Sequence, residues 1–302
     1  MKVALLSGGV GGARFARGLT AAVDPADVTV IGNVGDDLEV LGMAVSPDLD
    51  SILYALAVLN DEERGWGRAD ESWRALETVS ALGGEDGSRL GDRDRGLQLV
   101  RTQALRAGEP LSAVTARLAS AAGVESLLLP ATDDRQRTWI DTPAGSFPFQ
   151  EWFVARGHQD EVDSVRFEGE WTPAPGVLET LEGADAIVIA PSNPYVSIWP
   201  ILAVEGIREA LSARRVPCIA VSPLIGGRAV KGPVDRMLGR LAGGTSAGHV
   251  ASCYEGLIDA LVVDESDPTG RPLAIRAVVT QTLMTDLAAS RRLAETVLAA
   301  AA

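Results

Sequence analysis

Short, almost wholly apolar runs rich in β-branched residues recur at residues 3–6, 28–31, 126–129, 186–190 and 218–221. A strand with one face in water alternates polar and apolar positions, so continuous apolar runs predict strands covered on both faces, as in a parallel sheet. Stretches of helical period lie between them, at 12–23, 91–107, 111–122 and 198–213. Residues 260–263 and 275–279 add further strand candidates, and 282–301 reads as a closing helix. Alternation of this kind predicts an α/β fold with a doubly wound, mostly parallel sheet of Rossmann-like type. Two segments break the rhythm. Residues 60–91 are polar and glycine-rich and read as an inserted lid or subdomain. Residues 141–175 read as irregular and concentrate Phe147, Phe149, Trp152, Phe153, Phe167 and Trp171. Residues 1–302 are thus expected to form a single α/β domain with irregular insertions at about 60–91 and 141–175.

An open α/β sheet binds ligands beyond the carboxyl ends of its strands, so the residues that follow each run matter most. The first run leads into Ser7-Gly8-Gly9-Val10-Gly11-Gly12-Ala13-Arg14. This loop opens a helix, whose amides and dipole favour a phosphate. It is not a P-loop, because no Gly-Lys-Ser/Thr follows, nor the strict dinucleotide fingerprint, because Arg14 stands where the third glycine belongs. A tight turn that only packs strand on helix is the plain alternative. The second run ends in Asn33-Val34-Gly35-Asp36-Asp37, with Asp48 and Asp50 a short way on. Carboxylate oxygens suit Mg²⁺, and grouped like charges are costly without a cation or solvent. Asp36 and Asp50 are the expected metal ligands, whereas Asp48 serves equally well as a helix cap. Later strand ends carry Asp133-Asp134, Ser192-Asn193 and Gly226-Gly227.

Other features have ordinary explanations. Gly91-Asp92-Arg93-Asp94-Arg95 is a dense charge cluster at a helix start, which reads as a solvated face with Asp92 as N-cap. The aromatic run at 147–152 reads as core or edge strand, with a platform for a planar ring as the sharper alternative. His158 and His249 lack the neighbours that a zinc site or a Ser-His-Asp triad needs.

Composition narrows the function classes. A formal net charge of −14 argues against a broad nucleic-acid or anionic-lipid surface, which requires a clustered basic face. Any anionic ligand must then be held locally, by helix N-termini, single arginines or a bound cation. The two cysteines are too few to frame a secreted scaffold. With no apolar stretch long enough to span a bilayer, a cytoplasmic location is expected.

Taken in order, SGGVGGARF, NVGDD, SPDLDS, RGWG, LGDRD, PATDD, FQEW, PSNPYVSIWPIL and AVSPLIGGRAVKGP resemble segments of the 2-phospho-L-lactate transferase family of coenzyme F-420 biosynthesis. The likeness runs from Met1 to about Leu287. It implies a guanosine diphosphate-linked donor carrying phospholactate or phosphoenolpyruvate, and the deazaflavin Fo as acceptor. The terminal ribityl hydroxyl of Fo attacks the distal phosphorus and GMP leaves. On this resemblance Gly9, Gly11 and Gly12 cradle the diphosphate, Asp36 and Asp50 hold Mg²⁺, and either carboxylate orients the hydroxyl. Ser192, Asn193, Gly226 and Gly227 line the nucleotide pocket, and Arg93 and Lys231 are charge partners. Arg14, Asp37 and Asp92 fall in the same ligand-binding motifs, and a homodimer is expected. The family commonly carries lysine at the position of Arg14 and LATHL where this chain reads Arg95-Gly96-Leu97-Gln98-Leu99. Two rivals remain from other classes: an NAD-dependent oxidoreductase, weakened by the imperfect glycine fingerprint, and a non-catalytic nucleotide-sugar-binding regulator of the same fold, which has no use for LGDRD, FQEW and VKGP together.

Overall fold

Side chains along the first strand point alternately into two separate apolar cores, so both of its faces are covered and its sequence shows no polar alternation. Val3 and Leu5 join Phe15, Leu19, Leu293 and Val297 on one side, while Ala4 and Leu6 lie in the other core with Ile198, Ile207 and Leu211. The computed structural model of the chain describes residues 1–84, 90–267 and 273–302. The central sheet consists of β1 (Val3–Ser7), β2 (Val28–Gly32), β3 (Leu127–Pro130), β4 (Ala186–Ile189), β5 (Cys218–Val221), β6 (Ala260–Asp264) and β7 (Arg276–Thr280). Their order across the sheet is β7-β6-β5-β4-β1-β2-β3, and every neighbouring pair is parallel. Val3 stands opposite Val28 on one side and Ala186 on the other. Each run expected to be a strand forms part of this doubly wound α/β sheet. The winding reverses between β1 and β4, so the loops after those two strands border the crevice where such sheets bind ligands.

Four helices matter for that crevice: α1 (Gly9–Ala22), α2 (Pro47–Leu56), α3 (Arg74–Ala81) and α4 (Asp92–Arg106). A hairpin, Leu38–Val40 with Met43–Val45, joins β2 to α2. Leu41 and Gly42 form its two-residue turn at φ of 51° and 77°, as tight hairpin turns demand. Thr102 and Arg106 hold it on α4, the hydroxyl accepting from the Ala44 amide and the guanidinium donating to the Gly42 carbonyl.

Three expectations need correction. Residues 141–175 are not irregular throughout. Arg137–Thr142 pairs antiparallel with both Gly145–Pro148 and Ser164–Glu168, and this small sheet roofs the buried Phe149, Trp152 and Trp171. The helix expected at 198–213 is broken, because Gly206 at φ 79° opens a new helix, Ile207–Ala213, after the short Trp199–Leu202 turn. Within the 60–91 insertion, α3 forms although none of its residues is buried, so no apolar stripe announced it; residues 85–89 of that insertion lie outside the described residues. Among the described residues no helix is long and apolar enough to cross a membrane.

The closing helix Leu287–Ala301 lies on α1 at a point where only glycine fits. A Cβ at Gly18 would stand 2.5 Å from the carbonyl carbon and oxygen of Ser290. Replacing Gly18 by Val should therefore lower stability by about 1–3 kcal/mol, the usual range for overpacking, with the loss read from the urea midpoint at unchanged slope.

Candidate active site

Helix α1 begins directly after β1, and no side chain of its own caps it. Its first turn is fastened to the β4 loop by Ser192, whose hydroxyl accepts from the Gly8 amide at 3.2 Å and donates to the Gly8 carbonyl at 2.7 Å. The glycines expected to cradle a diphosphate divide into two kinds. A Cβ at Gly11 would lie 2.8 Å from the Pro191 carbonyl oxygen, and one at Gly12 would collide with the hydroxyls of Ser7 and Ser192. These two glycines let the loops of the switch point close against each other. Gly9, at φ 68° with only Ser197 Oγ nearby at 3.8 Å, is the one with a free face.

The end of β2 turns on Asn33, which is wholly buried. Its amide nitrogen donates to Asp48 Oδ2 at 2.9 Å, to the Val196 carbonyl at 3.2 Å and to Asp36 Oδ1 at 3.3 Å, and its oxygen accepts from the Gly35 amide at 2.8 Å. Asp36 and Asp48 are thereby brought together at one nitrogen, both nearly inaccessible to solvent. Among the described residues neither forms an ion pair with a lysine, arginine or histidine. Burial, followed by the charges of Asp48 and Asp37, raises Asp36 well above the usual carboxylate range. Burial likewise pushes Asp48 up to about 6, although hydrogen bonds from Asn33 and the Gly9 amide oppose it. Asp48 does not cap its own helix, since the start of α2 has no side-chain cap.

Asp50, expected beside Asp36, stands elsewhere. Its carboxylate is gripped in two-pronged fashion by Arg101 of α4, Nη1 to Oδ2 at 3.1 Å and Nη2 to Oδ1, and the pair is almost completely buried. The structure therefore sets Asp48, not Asp50, next to Asp36, and assigns Asp50 a guanidinium partner. Asp37 accepts from the Ser46 hydroxyl at 2.6 Å, its Oδ1 is buried without a partner, and burial raises its carboxyl well above the ordinary range. Gln150, from the FQEW motif, donates to the Asp36 carbonyl at 3.2 Å. Asn33, Ser197 and Gln150 were not singled out from the sequence, although all three sit within motifs that carried the family resemblance.

The remaining expected residues fall into distinct places. Asp92 caps α3 rather than its own helix, accepting from the Ser72 hydroxyl at 2.6 Å and the Ala75 amide at 3.1 Å; these bonds hold its carboxyl below the ordinary range. Glu71 takes the amides of Arg93 and Asp94 in return, each at 2.8 Å. Arg93 itself is exposed, with Asp70 at 3.9 Å its one ion-pair partner among the described residues. Asn193 accepts from the Tyr195 amide and donates to Met237 Sδ. Gly226 and Gly227, at φ 59° and 72°, make the turn of a small hairpin past β5, and Gly227 donates to Asp267. Arg14 and Lys231 meet over Gly65. Trp152 and Phe149 lie in the core, Trp152 being 1% exposed.

Two clefts among the described residues bear on the site. The larger of the two, about 310 Å³, lies between Trp152, Asp160 and Met237 and has neither Asp36 nor Asp48 in its lining. Its arginines are already engaged, Arg240 by Asp163 and Arg236 by the Gln159 carbonyl. A narrower cleft runs from Val10 on α1 and Ser51 on α2 to Arg14, Gly65 and Trp66, and so adjoins the first turns of both helices. No cluster of three or more metal-ligating side chains converges among the described residues. Two carboxylates do suffice for Mg²⁺ when phosphate oxygens and waters complete its shell, and the cation-free, buried Asp36 and Asp48 fit that requirement.

A family model, 2-phospho-L-lactate transferase CofD, matches residues 3–300. The chain belongs to this family. It is 42% identical to a phosphoenolpyruvate transferase of Streptomyces griseus, over 97% of this chain and 96% of that protein. It is 43% identical to a phosphoenolpyruvate transferase of Kitasatospora aureofaciens, over 100% and 98%. With a 2-phospho-L-lactate transferase of Methanosarcina acetivorans it shares 37% identity over 96% of each. Among solved structures, a Bacillus halodurans protein of the UPF0052 family superposes with a TM-score of 0.66 over 98% of both chains at 17% identity, a likeness of fold. In this member of the 2-phospho-L-lactate transferase family, the acidic pair, the start of α1 and the two clamped loops all meet at the topological switch point.

The Asp50–Arg101 bond is open to a direct check. Arg101→Met strands a buried carboxylate and should cost about 3–5 kcal/mol, whereas adding Asp50→Leu should recover most of that loss. Urea denaturation of the three proteins reads both effects, and a double variant as weak as the single one would show that the pair is not a closed unit.

Proposed function

We propose that this chain is a Mg²⁺-dependent transferase that moves a phosphoenolpyruvate or phospholactate group from a guanosine diphosphate-linked donor onto the ribityl hydroxyl of the deazaflavin Fo, releasing GMP, as a cytoplasmic step of coenzyme F-420 biosynthesis. The observation that carries the reading is the buried Asp36–Asp48 pair, which lacks any cationic partner among the described residues and stands at the start of α1, where Asp48 accepts from the Gly9 amide. An anionic phosphate has no reason to approach two carboxylates unless a cation lies between them. The relatives' names supply the substrate class, and the fold alone would leave enzyme and sensor equal.

In this reading the remaining first-turn amides and the positive end of α1 bind the diphosphate. Asp36 and Asp48 would hold Mg²⁺, which neutralises charge on the transferring phosphate. The hydroxyl oxygen of the acceptor forms the new bond to the distal phosphorus as the bond to the GMP oxygen breaks, and a carboxylate of the site takes the hydroxyl proton. Such chemistry demands alignment and charge neutralisation more than covalent work by the protein. Asn33 fixes the separation of the two carboxylates and Gln150 the loop that presents Asp36. Arg93, exposed and weakly paired, is available to the substrates. As in the expected family assembly, the active form is a homodimer.

Turnover of the donor with Fo, followed by mass spectrometry of the product, tests the reading; Asp36→Asn should reduce kcat by about a hundredfold or more while leaving the circular dichroism spectrum unchanged. Activity near wild type in that variant would remove Asp36 from the site. A second test uses pH. With the Asp48 carboxyl at about 6 in the fold against roughly 3.9 unfolded, the native state binds more protons between those values, so rising pH lowers stability across that window. In chelator, wild type should lose stability relative to Asp48→Asn as pH rises from about 4 to about 6. Added Mg²⁺ should restore wild type above that range and leave Asp48→Asn unaffected.

A further inference from the structure

Of 27 basic residues in the chain, Lys2 and Lys231 are the only lysines. Lys231 is placed where a compact charge fits beside an arginine. A Cβ built on Gly65 would stand 2.6 Å from Lys231 Nζ and 3.3 Å from Arg14 Nη2, so both cationic heads lie against this one glycine. Lys231 donates to the Gly65 carbonyl at 2.9 Å, and Arg14 makes one long bond to the Met284 carbonyl at 3.4 Å. Neither has a carboxylate within ion-pair distance among the described residues, in a chain whose net charge is −14. Burial and the Arg14 charge lower the Lys231 ammonium below its ordinary range, the mark of a positive pair with nothing to balance it. An ammonium has three donors and a guanidinium five, so most of the donors here remain unspent, and Lys231 is open to solvent.

We propose that Arg14 and Lys231 form an anion subsite for the carboxylate of the three-carbon group that is transferred. This assignment rests on the transferase reading above. The cleft containing Arg14 and Gly65 continues to Val10 and Ser51, beside the first turns of α1 and α2 where the phosphates are placed. The phosphates already have the α1 amides and the Asp36–Asp48 cation. Phosphoenolpyruvate and 2-phospholactate each carry one further charge, a carboxylate on the carbon that bears the phosphate oxygen; Arg14, which lines this cleft, and Lys231, which bonds the carbonyl of the cleft residue Gly65, balance it. A planar guanidinium pairs well with a carboxylate fork, and Gly65, with no side chain, lets the two cationic heads come close to its backbone.

The test reads Lys231 directly. Reductive dimethylation with ¹³C keeps the ammonium charge and labels only Lys2, Lys231 and the amino terminus, and the Lys231 signal is the one absent from Lys231→Arg. With Mg²⁺ present, the protein is titrated separately with phosphoenolpyruvate, GDP and inorganic phosphate. Phosphoenolpyruvate should move the Lys231 signal saturably, with GDP and inorganic phosphate leaving it in place. Arg14→Met should weaken phosphoenolpyruvate binding about tenfold or more with GDP affinity unchanged, and Arg14→Lys should restore most of it. Equal movement with GDP would assign the pair to a nucleotide phosphate, and equal movement with inorganic phosphate would make it a general counter-ion site; either overturns the carboxylate assignment. A still Lys231 signal while calorimetry shows GDP bound overturns the subsite and leaves the transferase reading in place. Movement with phosphoenolpyruvate but no GDP binding supports the subsite and removes the guanosine-linked donor instead.

Discussion

Everything at the crevice depends on one buried amide. Asn33 has two N–H donors and three acceptors within reach, two of them carboxylates and one the carbonyl of Val196. That single nitrogen joins the end of β2, the first turn of α2 and the segment after β4. A hydrophobic residue of similar size there would remove one donor from each of two buried carboxylates and from a carbonyl, and unsatisfied buried groups cost about 1–3 kcal/mol each, more when charged. The geometry of the acidic pair is thus an outcome of how three separate chain segments share one hydrogen-bond donor.

The same neighbourhood treats its aspartates in opposite ways. Asp50 meets Arg101 and is neutralised within the fold. Asp36 and Asp48 meet only neutral donors, and their charge is left for something outside the chain to balance. A fold selected for stability alone tends to satisfy every buried charge internally; here the exception lies at the point where the sheet reverses its winding, and the fastening of Gly8 by Ser192 keeps that point rigid.

The sheet was legible in the sequence because β1, β2, β4 and β5 are buried on both faces and leave unbroken apolar runs. The glycine loop and the acidic segments were legible for the same topological reason, as each follows a strand. Which aspartate accompanies Asp36 was not. Asp48 and Asp50 are two positions apart on a helix and so face nearly opposite directions, and only the partner of one of them, Arg101, which is 51 residues distant, decides the matter. The aromatic run around Trp152 misled in a similar way: its rings are covered by a sheet whose strands, Arg137–Thr142 and Ser164–Glu168, are far apart in the chain and only weakly patterned. The crossed capping of α3 by Asp92 and α4 by Glu71 was hidden because each cap serves a helix other than its nearest candidate.

The two walls of the narrow cleft are built from different kinds of bond. One wall, formed by α1 and α2, is fixed by neutral, buried hydrogen bonds such as those by which Ser192 fastens Gly8 at the start of α1. The other, the loop around Gly65, is tied down by Lys231 and by the ion pair of Arg17 with the exposed Glu62. Dissolved salt screens accessible charges and hardly reaches buried dipoles. Ionic strength therefore acts as a one-sided control on this molecule, loosening the outer wall of the cleft while the floor beneath it keeps its shape.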